Sequence, residues 1–560
     1  MNPTVFPDGA STLVADTVIV GGGTAGCVLA QRLSADPDRQ VLLLEAGPPA
    51  PPASAVPGLW PTLLNTEFDW GFHTVAQAGC RQRRLFWPRG RMLGGSGALN
   101  AMIYMRGLPS DYARWAAAGC PGWGWDEVLP VFKASERNTR FAGSPWHGHD
   151  GPWPVSDVAP IDPIEQAWLA AAQAAGLPWN DDFNGATQAG VGLFQATIAD
   201  GERWGTGRAY LQPALARPNL RVLTGVTVLK VVLEGARAVG VDLLHRGQAC
   251  RVRAEAQTVL CAGAIGSPHL LLNSGIGPAD ELAALGIAPR LDLPGVGREL
   301  QDHVNCAITV GTRARHGIGL ATAAEAAQQL AQWQLQRSGP LTSNWSASGG
   351  FVRVADVDPA REPLDHPDDP DLQLYCIASP HGDHGRQLSP VPGIRLFSVL
   401  QRPASRGVLR LRCADPLAAP LIDPRYFSDA GDGDLARVVA GIRLNRRILA
   451  ESPLRELVTA EFAPSADAHS DAELAELVRS TAATLYHPTS TCRMGSDAQA
   501  VVTPGLAVRG CDGLMVADAS VFPSMVSGNT NAAVVMVAER AAAFIRGGAP
   551  LGHDRHPLSL

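Results

Sequence analysis

The stretch YHPTSTCRMG, residues 486–495, sets His487 five positions ahead of Cys492, a pairing that admits four chemistries. The histidine could ligate a metal, activate a thiol, sit buried as a neutral ring or act alone as a general base. Metal binding needs further ligands at suitable spacing, and neither Cys492 nor any neighbouring His, Asp or Glu completes a set. A thiolate at Cys492 needs an electropositive setting, and Arg493 alone is thin support for one, so that sulfur is read as core packing. His487 is left as a structural ring or a base. The groups His147-Gly-His149 and His381-Gly-Asp-His384 have ligand-like spacing but sit among glycines, and both are read as structural.

A second constellation lies in DTVIVGGGTAGCVLAQRLSADPDRQVLLLEAG, residues 16–47. Thr17 to Val20 reads as a strand, Gly21, Gly23 and Gly26 follow in G-x-G-x-x-G spacing, Ala25 to Ser34 reads as a helix, and Val41 to Leu44 is a second strand ending at Glu45. Gly21 permits the tight turn, Gly23 lets the backbone approach a pyrophosphate, and Gly26 allows helix to pack on strand. The helix N-terminus offers free N–H groups to phosphate, and Glu45 can accept from ribose hydroxyls. This unit predicts a bound dinucleotide and does not distinguish NAD from FAD.

These residues need a scaffold, and the chain signals a discontinuous one. After Glu45 the proline-rich GPPAPPASAVPG breaks the βα repeat. Strand patterns return at Leu220 to Leu223, Val228 to Leu233, Val239 to Leu243 and Thr258 to Cys261, with a last short one in GLMVAD, residues 513–518. Alternating patterns at Leu372 to Ile377, Ile394 to Leu400 and Val408 to Leu411 suit an antiparallel sheet, and Thr530 to Phe544 reads as a helix. The expected fold class is α/β with α+β: a discontinuous Rossmann-like nucleotide-binding domain of residues 14–155, 216–312 and 487–547, carrying an inserted antiparallel-sheet substrate domain of residues 156–215 and 313–486.

Composition narrows the partners. The 560 residues carry a net charge of −7 with no basic run, which excludes a nucleic-acid surface. Ten scattered cysteines without a CxxC pair read as reduced thiols, and MNPTVFPDGASTLVAD lacks the basic and apolar regions of a secretory leader. A cytoplasmic setting is expected. AAVVMVAERAAAFI, interrupted by Glu539 and Arg540, is too short and too charged to span a bilayer, which leaves peripheral association with the inner face of the cytoplasmic membrane as the one open membrane role.

GRMLGGSGALNAMIYMRG, residues 90–107, resembles the first signature of the glucose–methanol–choline (GMC) family of flavin oxidoreductases. GAIGSPHLLLNSGIG, residues 263–277, resembles its second signature, and YHPTSTCRMG its C-terminal active-site motif. LLEAGP, LFWPRG and VSGNTNAAVVMVAE are similar to the wording of bacterial choline-dehydrogenase-like enzymes and of the flavin alcohol dehydrogenases of alkane degradation. The resemblance implies FAD, held at Gly21, Gly23, Thr24, Ala25 and Gly26 in the first turn and at Glu45 and Ala46 after the second strand. It implies Arg91, Gly94, Gly95, Asn100 and Ala101 along the first signature, a main-chain contact from Val228 to the adenine, and a contact at Ala262. It implies Asp518, Ala519, Asn529 and Thr530 toward the ribityl chain and ring. Relatives that bind FAD covalently carry a histidine where this chain has Leu99, which implies non-covalent FAD.

By the same resemblance His487 is the catalytic base and Asn531, the second asparagine of NTN, its partner before the flavin N5. A base that takes the hydroxyl proton turns an alcohol into a far better hydride donor, and Asn531 would hold the oxygen and aim the C–H. The expected activity is FAD-dependent oxidation of a primary alcohol, aliphatic or aryl, to the aldehyde, with electrons passing on to a quinone, oxygen or another acceptor. Choline is the competing substrate. Choline-oxidising relatives place an acid before a glycine–phenylalanine segment, where NWSASGGF has Ala347, and Trp345 and Phe351 would then line a pocket for an apolar alcohol. A flavin-dependent lyase or decarboxylase on the same scaffold is the reading from another class.

Overall fold

The computed structural model describes residues 12–317, 321–356 and 369–547; the leader reading, which rests mostly on residues 1–11, lies outside the described residues. In chain order the elements that position the site are β1 (Thr12–Val20), α1 (Thr24–Leu33), β2 (Val41–Leu44), α2 (Pro163–Ala174), β3 (Gly190–Leu193), β4 (Leu220–Leu223), β5 (Val226–Glu234), β6 (Arg237–His245), β7 (Gln248–Leu260) and α3 (Gly263–Asn273). They continue with β8 (Val304–Thr312), β9 (Ser348–Val352), β10 (Leu372–Ile377), β11 (Gly393–Leu400), α4 (Gly433–Leu449), β12 (Val458–Glu461), β13 (Ala483–Thr484), β14 (Leu514–Val516) and α5 (Asn531–Ile545).

The first of two seven-stranded sheets runs β4-β2-β1-β7-β6-β5, with β14 joined to the end of β7. Strands β4, β2, β1, β7 and β14 are parallel and end level: Val20 lies opposite Leu44 and Leu260, Leu44 opposite Leu223, and Leu260 opposite Val516. Gly21, Glu45, Cys261 and Ala517 therefore leave the sheet side by side, at the carboxyl edge where open parallel sheets bind nucleotides. The unbroken VLLL of β2 has a plain cause: the strand is buried at every position and so has no polar face. A Cβ on Gly26 would lie 1.9 Å from the Gly21 oxygen, so only glycine lets the first turn of α1 sit on the end of β1.

The second sheet, β12-β8-β11-β10-β9-β3 with β13 against β8, is antiparallel throughout. Alternation divides its side chains. Leu372 and Ser398 face Gly441 of α4, while Tyr375 pairs with Phe397, and Ile377 with Arg395, on the face that lines a cavity between the sheets. The expected nucleotide-binding unit ran through residue 312, but Val304–Thr312 is β8 of this second sheet, paired with β11. Its alternation of Val304, Cys306, Ile308 and Val310 with Asn305, Ala307, Thr309 and Gly311 suits an antiparallel strand. Val408–Arg410 pairs only with Leu421–Asp423, as a hairpin apart from the main sheet.

No helix among the described residues is long and apolar enough to cross a membrane. The charges that interrupt α5 are buried instead. Arg32 of α1 donates from Nε and Nη2 to the two carboxylate oxygens of Glu539, at 2.8 and 2.9 Å, and the Arg540 guanidinium lies 4.4 Å over the Trp123 ring. This fork fastens the last helix of the described fold to the first. Arg32→Met strands a buried carboxylate, and about 3 kcal/mol of destabilisation is expected, read as a lower urea midpoint. The double variant Arg32→Met/Glu539→Met recovers part of that loss, because the stranded charge is gone.

Candidate active site

A cavity of about 910 Å³ opens from the carboxyl edge of the first sheet toward the second. Its wall near β1 and β2 contains Gly21, Gly23, Thr24, Ala25, Glu45 and Ala46; Gly95, Asn100 and Ala101 face them, with Val228 and Ala262 to one side. Asp518, Ala519, Asn529, Thr530, Asn531 and His487 complete the set of sequence-predicted residues in the wall. Gly26, Gly94 and Arg91 lie outside it. Gly26 is spent on helix packing, Gly94 donates its N–H to the Gly22 oxygen at 2.7 Å, and Arg91 lies 5.2 Å over Trp70, from where its charge reaches Glu45.

The cradle fits the dinucleotide that the glycine spacing predicts. No side chain caps the N-terminus of α1 or of α5, so both present free N–H groups at the cavity. A Cβ on Gly95 would lie 2.6 Å from the Gly23 Cα, so only a bare glycine lets these two cavity-lining backbone segments approach so closely. Glu45 accepts from the N–H groups of Gly22 and Gly47, both at 2.8 Å, and burial pushes its carboxyl up to about 7. Each oxygen keeps a lone pair for a ribose hydroxyl. Leu99 is buried in the same wall.

His487 is gripped by two consecutive residues. Its main-chain N–H donates to Asp302 Oδ1 at 2.8 Å, and its ring Nδ1 lies 2.9 Å from Nδ1 of His303. Asp302 is itself buried and held by the hydroxyls of Thr484 (2.7 Å) and Tyr426. The tautomers follow from the partners. His303 Nε2 faces the Gln401 carbonyl at 3.0 Å and must donate to it; burial lowers the pKa of His303 to about 4, so its Nδ1 is a bare acceptor. His487 therefore carries its proton on Nδ1 and turns an unprotonated Nε2 to the cavity. Burial, then His303 and the Arg89 charge, hold its pKa well below 6.5, a weaker base than an exposed imidazole.

The expected partner of His487 was Asn531, and the structure puts it elsewhere. Asn531 is the first residue of α5, and its Oδ1 accepts from Thr24 Oγ1 at 2.8 Å, on the cradle side. Asn529, in the turn ahead of the helix, faces His487 instead, with Nδ2 3.4 Å from Nε2. Its amide orientation is fixed because Oδ1 accepts from Tyr375 Oη (3.2 Å) and Gln373 Nε2 (3.4 Å). Gln401 orders this network further, with its Nε2 3.4 Å from Gln373 Oε1 and its Oε1 accepting from Gly528 N at 2.5 Å. Asp302, His303, Gln373, Tyr375 and Gln401 escaped the sequence reading. A charged–polar pair directly ahead of an apolar strand, QDHVNCAITV, was the one available signal.

Trp60, Phe86, Met102, Ile103, Tyr375 and Phe397 form the apolar wall beyond His487. The aromatic side chains expected there, Trp345 and Phe351, stand behind it. Trp345 donates to the Gly58 oxygen at 2.9 Å behind Trp60, and Phe351 is covered by the Ser527–Asn529 turn, where a Cβ on Gly528 would meet it at 3.2 Å. Ala347 is fully buried, and its N–H donates to Glu165 of α2, outside the cavity wall. His381 and His384, read as structural, do line the cavity, and His384 Nδ1 lies 2.6 Å from the Tyr486 hydroxyl. His147 is structural, buried between Glu136 and Asp182 at 2.9 Å from each.

Family models described as GMC oxidoreductase match residues 15–305 and 403–538. The chain is 41% identical over 536 residues to an alcohol dehydrogenase [acceptor] of Pseudomonas putida, covering 95% of each. It is 39% identical over 559 residues to the mitochondrial choline dehydrogenase of Mus musculus, covering 97% of this chain and 91% of that one. Among solved structures it is similar to pyridoxine 4-oxidase from Mesorbium loti, with a TM-score of 0.85 at 34% identity over 96% of this chain and 100% of that one.

The tautomer assignment has a spectroscopic signature. In protein labelled with ¹⁵N-histidine, the His487 ring is expected to show a protonated Nδ1 and a bare Nε2, unchanged as pH falls through 6.5. His303→Phe removes the acceptor and is expected to turn that signal into a tautomer mixture.

Proposed function

The chain belongs to the GMC oxidoreductase family, and from that premise we propose that His487 is the general base and Asn529 the substrate-oxygen donor of its reaction. FAD is the cofactor, an alcohol the electron donor, and a separate acceptor takes the electrons onward. When bound, FAD supplies the hydride acceptor that no side chain can provide. The chain's own residues prepare the alcohol. The bare Nε2 of His487 takes the hydroxyl proton as the C–H bond breaks, and the Asn529 Nδ2–H group holds the oxygen, where negative charge gathers. With FAD bound to supply the hydride acceptor, RCH₂OH would lose its hydroxyl proton to the imidazole and a hydride from carbon, and would leave as RCHO. The observation that carries this reading is the oriented, unprotonated Nε2 at a cavity shared with a dinucleotide cradle.

The apolar wall supports a primary alcohol of aliphatic or aryl type. Among the described residues the acids in the cavity wall are Glu45, Asp383 and Asp518. Glu45 and Asp518 belong to the cradle, and Asp383 is already paired with Arg386 at 2.6 Å, so a cationic alcohol such as choline finds no free counter-charge. Leu99 supports FAD held without a covalent bond to that position. The division of labour we propose follows the two sheets: the parallel one for FAD, and the antiparallel one, including Val304–Thr312, for substrate. Ten unpaired cysteines support a cytoplasmic setting.

His487→Ala is expected to keep its FAD while anaerobic flavin reduction by alcohol slows by roughly 10²–10⁴-fold. Wild-type rates in that variant would sink the assignment. Because the pKa of His487 lies below 6.5, the base form persists as pH falls, so the reduction rate in wild-type protein should hold its plateau through pH 6.5 and drop only in more acidic buffer. Acid precipitation should release the flavin into the supernatant. Comparing 1-octanol, benzyl alcohol and choline as reductants tests the substrate class, and a clear preference for choline would reverse it.

A further inference from the structure

Five guanidinium groups line the cavity, those of Arg83, Arg84, Arg89, Arg386 and Arg395. Arg83 donates to the Ala482 carbonyl at 3.0 Å and Arg84 to the Thr74 carbonyl at 3.3 Å, and Arg395 alone of the five keeps a buried nitrogen with no hydrogen-bond partner among the described residues. Arg395, on β11, is half-buried; its Nη1 donates to the His381 carbonyl at 2.7 Å, its Nε is buried with no hydrogen-bond partner among the described residues, and its guanidinium carbon lies 5.1 Å from the Phe397 ring centre. Unlike Arg386, paired with Asp383, and Arg89, which faces Asp302 and Asp69, it has no carboxylate of the described residues beside it. The nearby imidazoles do not change the balance, since burial pushes His381 down to about 3 and His384 to about 4, and both rings stay neutral.

Its place in the sheet sets the geometry. Tyr375, which touches Asn529, pairs across the strands with Phe397, and the next pair on the same face is Ile377 with Arg395. Two residues along a strand are roughly 7 Å. A hydroxymethyl group at Asn529 and His487 would thus lie at one end of an apolar strip, and an unneutralised guanidinium at the other. We propose that Arg395 is the anion-binding determinant of the substrate site, and that the preferred alcohol carries a carboxylate at the end remote from its hydroxymethyl group, as in an ω-hydroxyalkanoate or a para-(hydroxymethyl)benzoate. This rests on the oxidation reading for the fate of the hydroxyl, but not for binding of the carboxylate.

The test pairs each acid with its neutral analogue on the holoenzyme: 6-hydroxyhexanoate against 1-hexanol, and 4-(hydroxymethyl)benzoate against benzyl alcohol. The charged member of each pair is expected to have the higher kcat/KM. In Arg395→Met the ratio of charged to neutral kcat/KM should fall roughly 10- to 100-fold, mainly through KM, with Arg395→Lys restoring part of it. Calorimetry with the unreactive hexanoate and benzoate should show the same loss of affinity. Should these anions bind wild-type and Arg395→Met protein alike, or should the ratio stay unchanged, the subsite is overturned. If they bind through Arg395 while no alcohol reduces the flavin, the subsite stands and the oxidation reading falls.

Discussion

The reaction proposed for this protein depends on how one imidazole is held. Asp302 fixes the main chain of His487 and His303 fixes its ring, so two adjacent residues at the start of β8 set both position and tautomer. The chain Gln401 carbonyl, His303, His487 has one consistent proton arrangement while both rings are neutral, and in it the base lone pair points into the cavity. Tyr486 adopts a φ of 70°, outside the usual range for a bulky side chain, and the hydrogen bonds around Asp302 hold that turn in place. The antiparallel sheet supplies Tyr375, Gln373 and Gln401, and the turn before α5 supplies Asn529. Reactive groups from distant parts of the chain converge on a nitrogen that none of them neighbours in sequence.

Burial sets the electrostatic character of the site. Desolvation keeps His303, His381, His384 and His487 neutral, so the imidazoles around the substrate arm act through lone pairs and N–H dipoles rather than charge. Arg83, Arg84, Arg89, Arg386 and Arg395 are the guanidinium groups of the wall. Glu45 and the uncapped helix N-termini form the cradle, while Arg395 faces the far side of the apolar strip. His487 is in consequence a weaker base than an exposed histidine, and it is unprotonated near neutrality, as the proposed role requires.

Local pattern carried the first turn well. β1, the glycines, α1, β2 and Glu45 are close in sequence and obey one periodicity each, so spacing alone predicted their places. The NTN segment failed by two residues for a local reason: Asn531 begins α5 and turns with the helix toward Thr24, while Asn529 stays in the turn and meets His487. Where helix geometry starts decides which asparagine faces which ring, and composition does not reveal it. Residues 304–312 were grouped with the nucleotide-binding unit by their place in the chain, although VNCAITVGT alternates as an antiparallel strand does. Asp302 and His303 were missed because their roles exist only through contacts with residues far along the chain, and a single sequence holds no record of such pairings.

The stitching of the first sheet bears on the order of events at the ribosome. Strand β1 pairs with β7, β7 with β14, and Thr24 meets Asn531 across 507 residues of chain. Strand β1 meets β2 and β7, both in the first half of the sequence, whereas β14 and α5 are among the last described elements to be made. The place of β14 beside the end of β7 and the face of α1 that α5 covers therefore stay open until those late residues are made, and these are the surfaces a chaperone would shield.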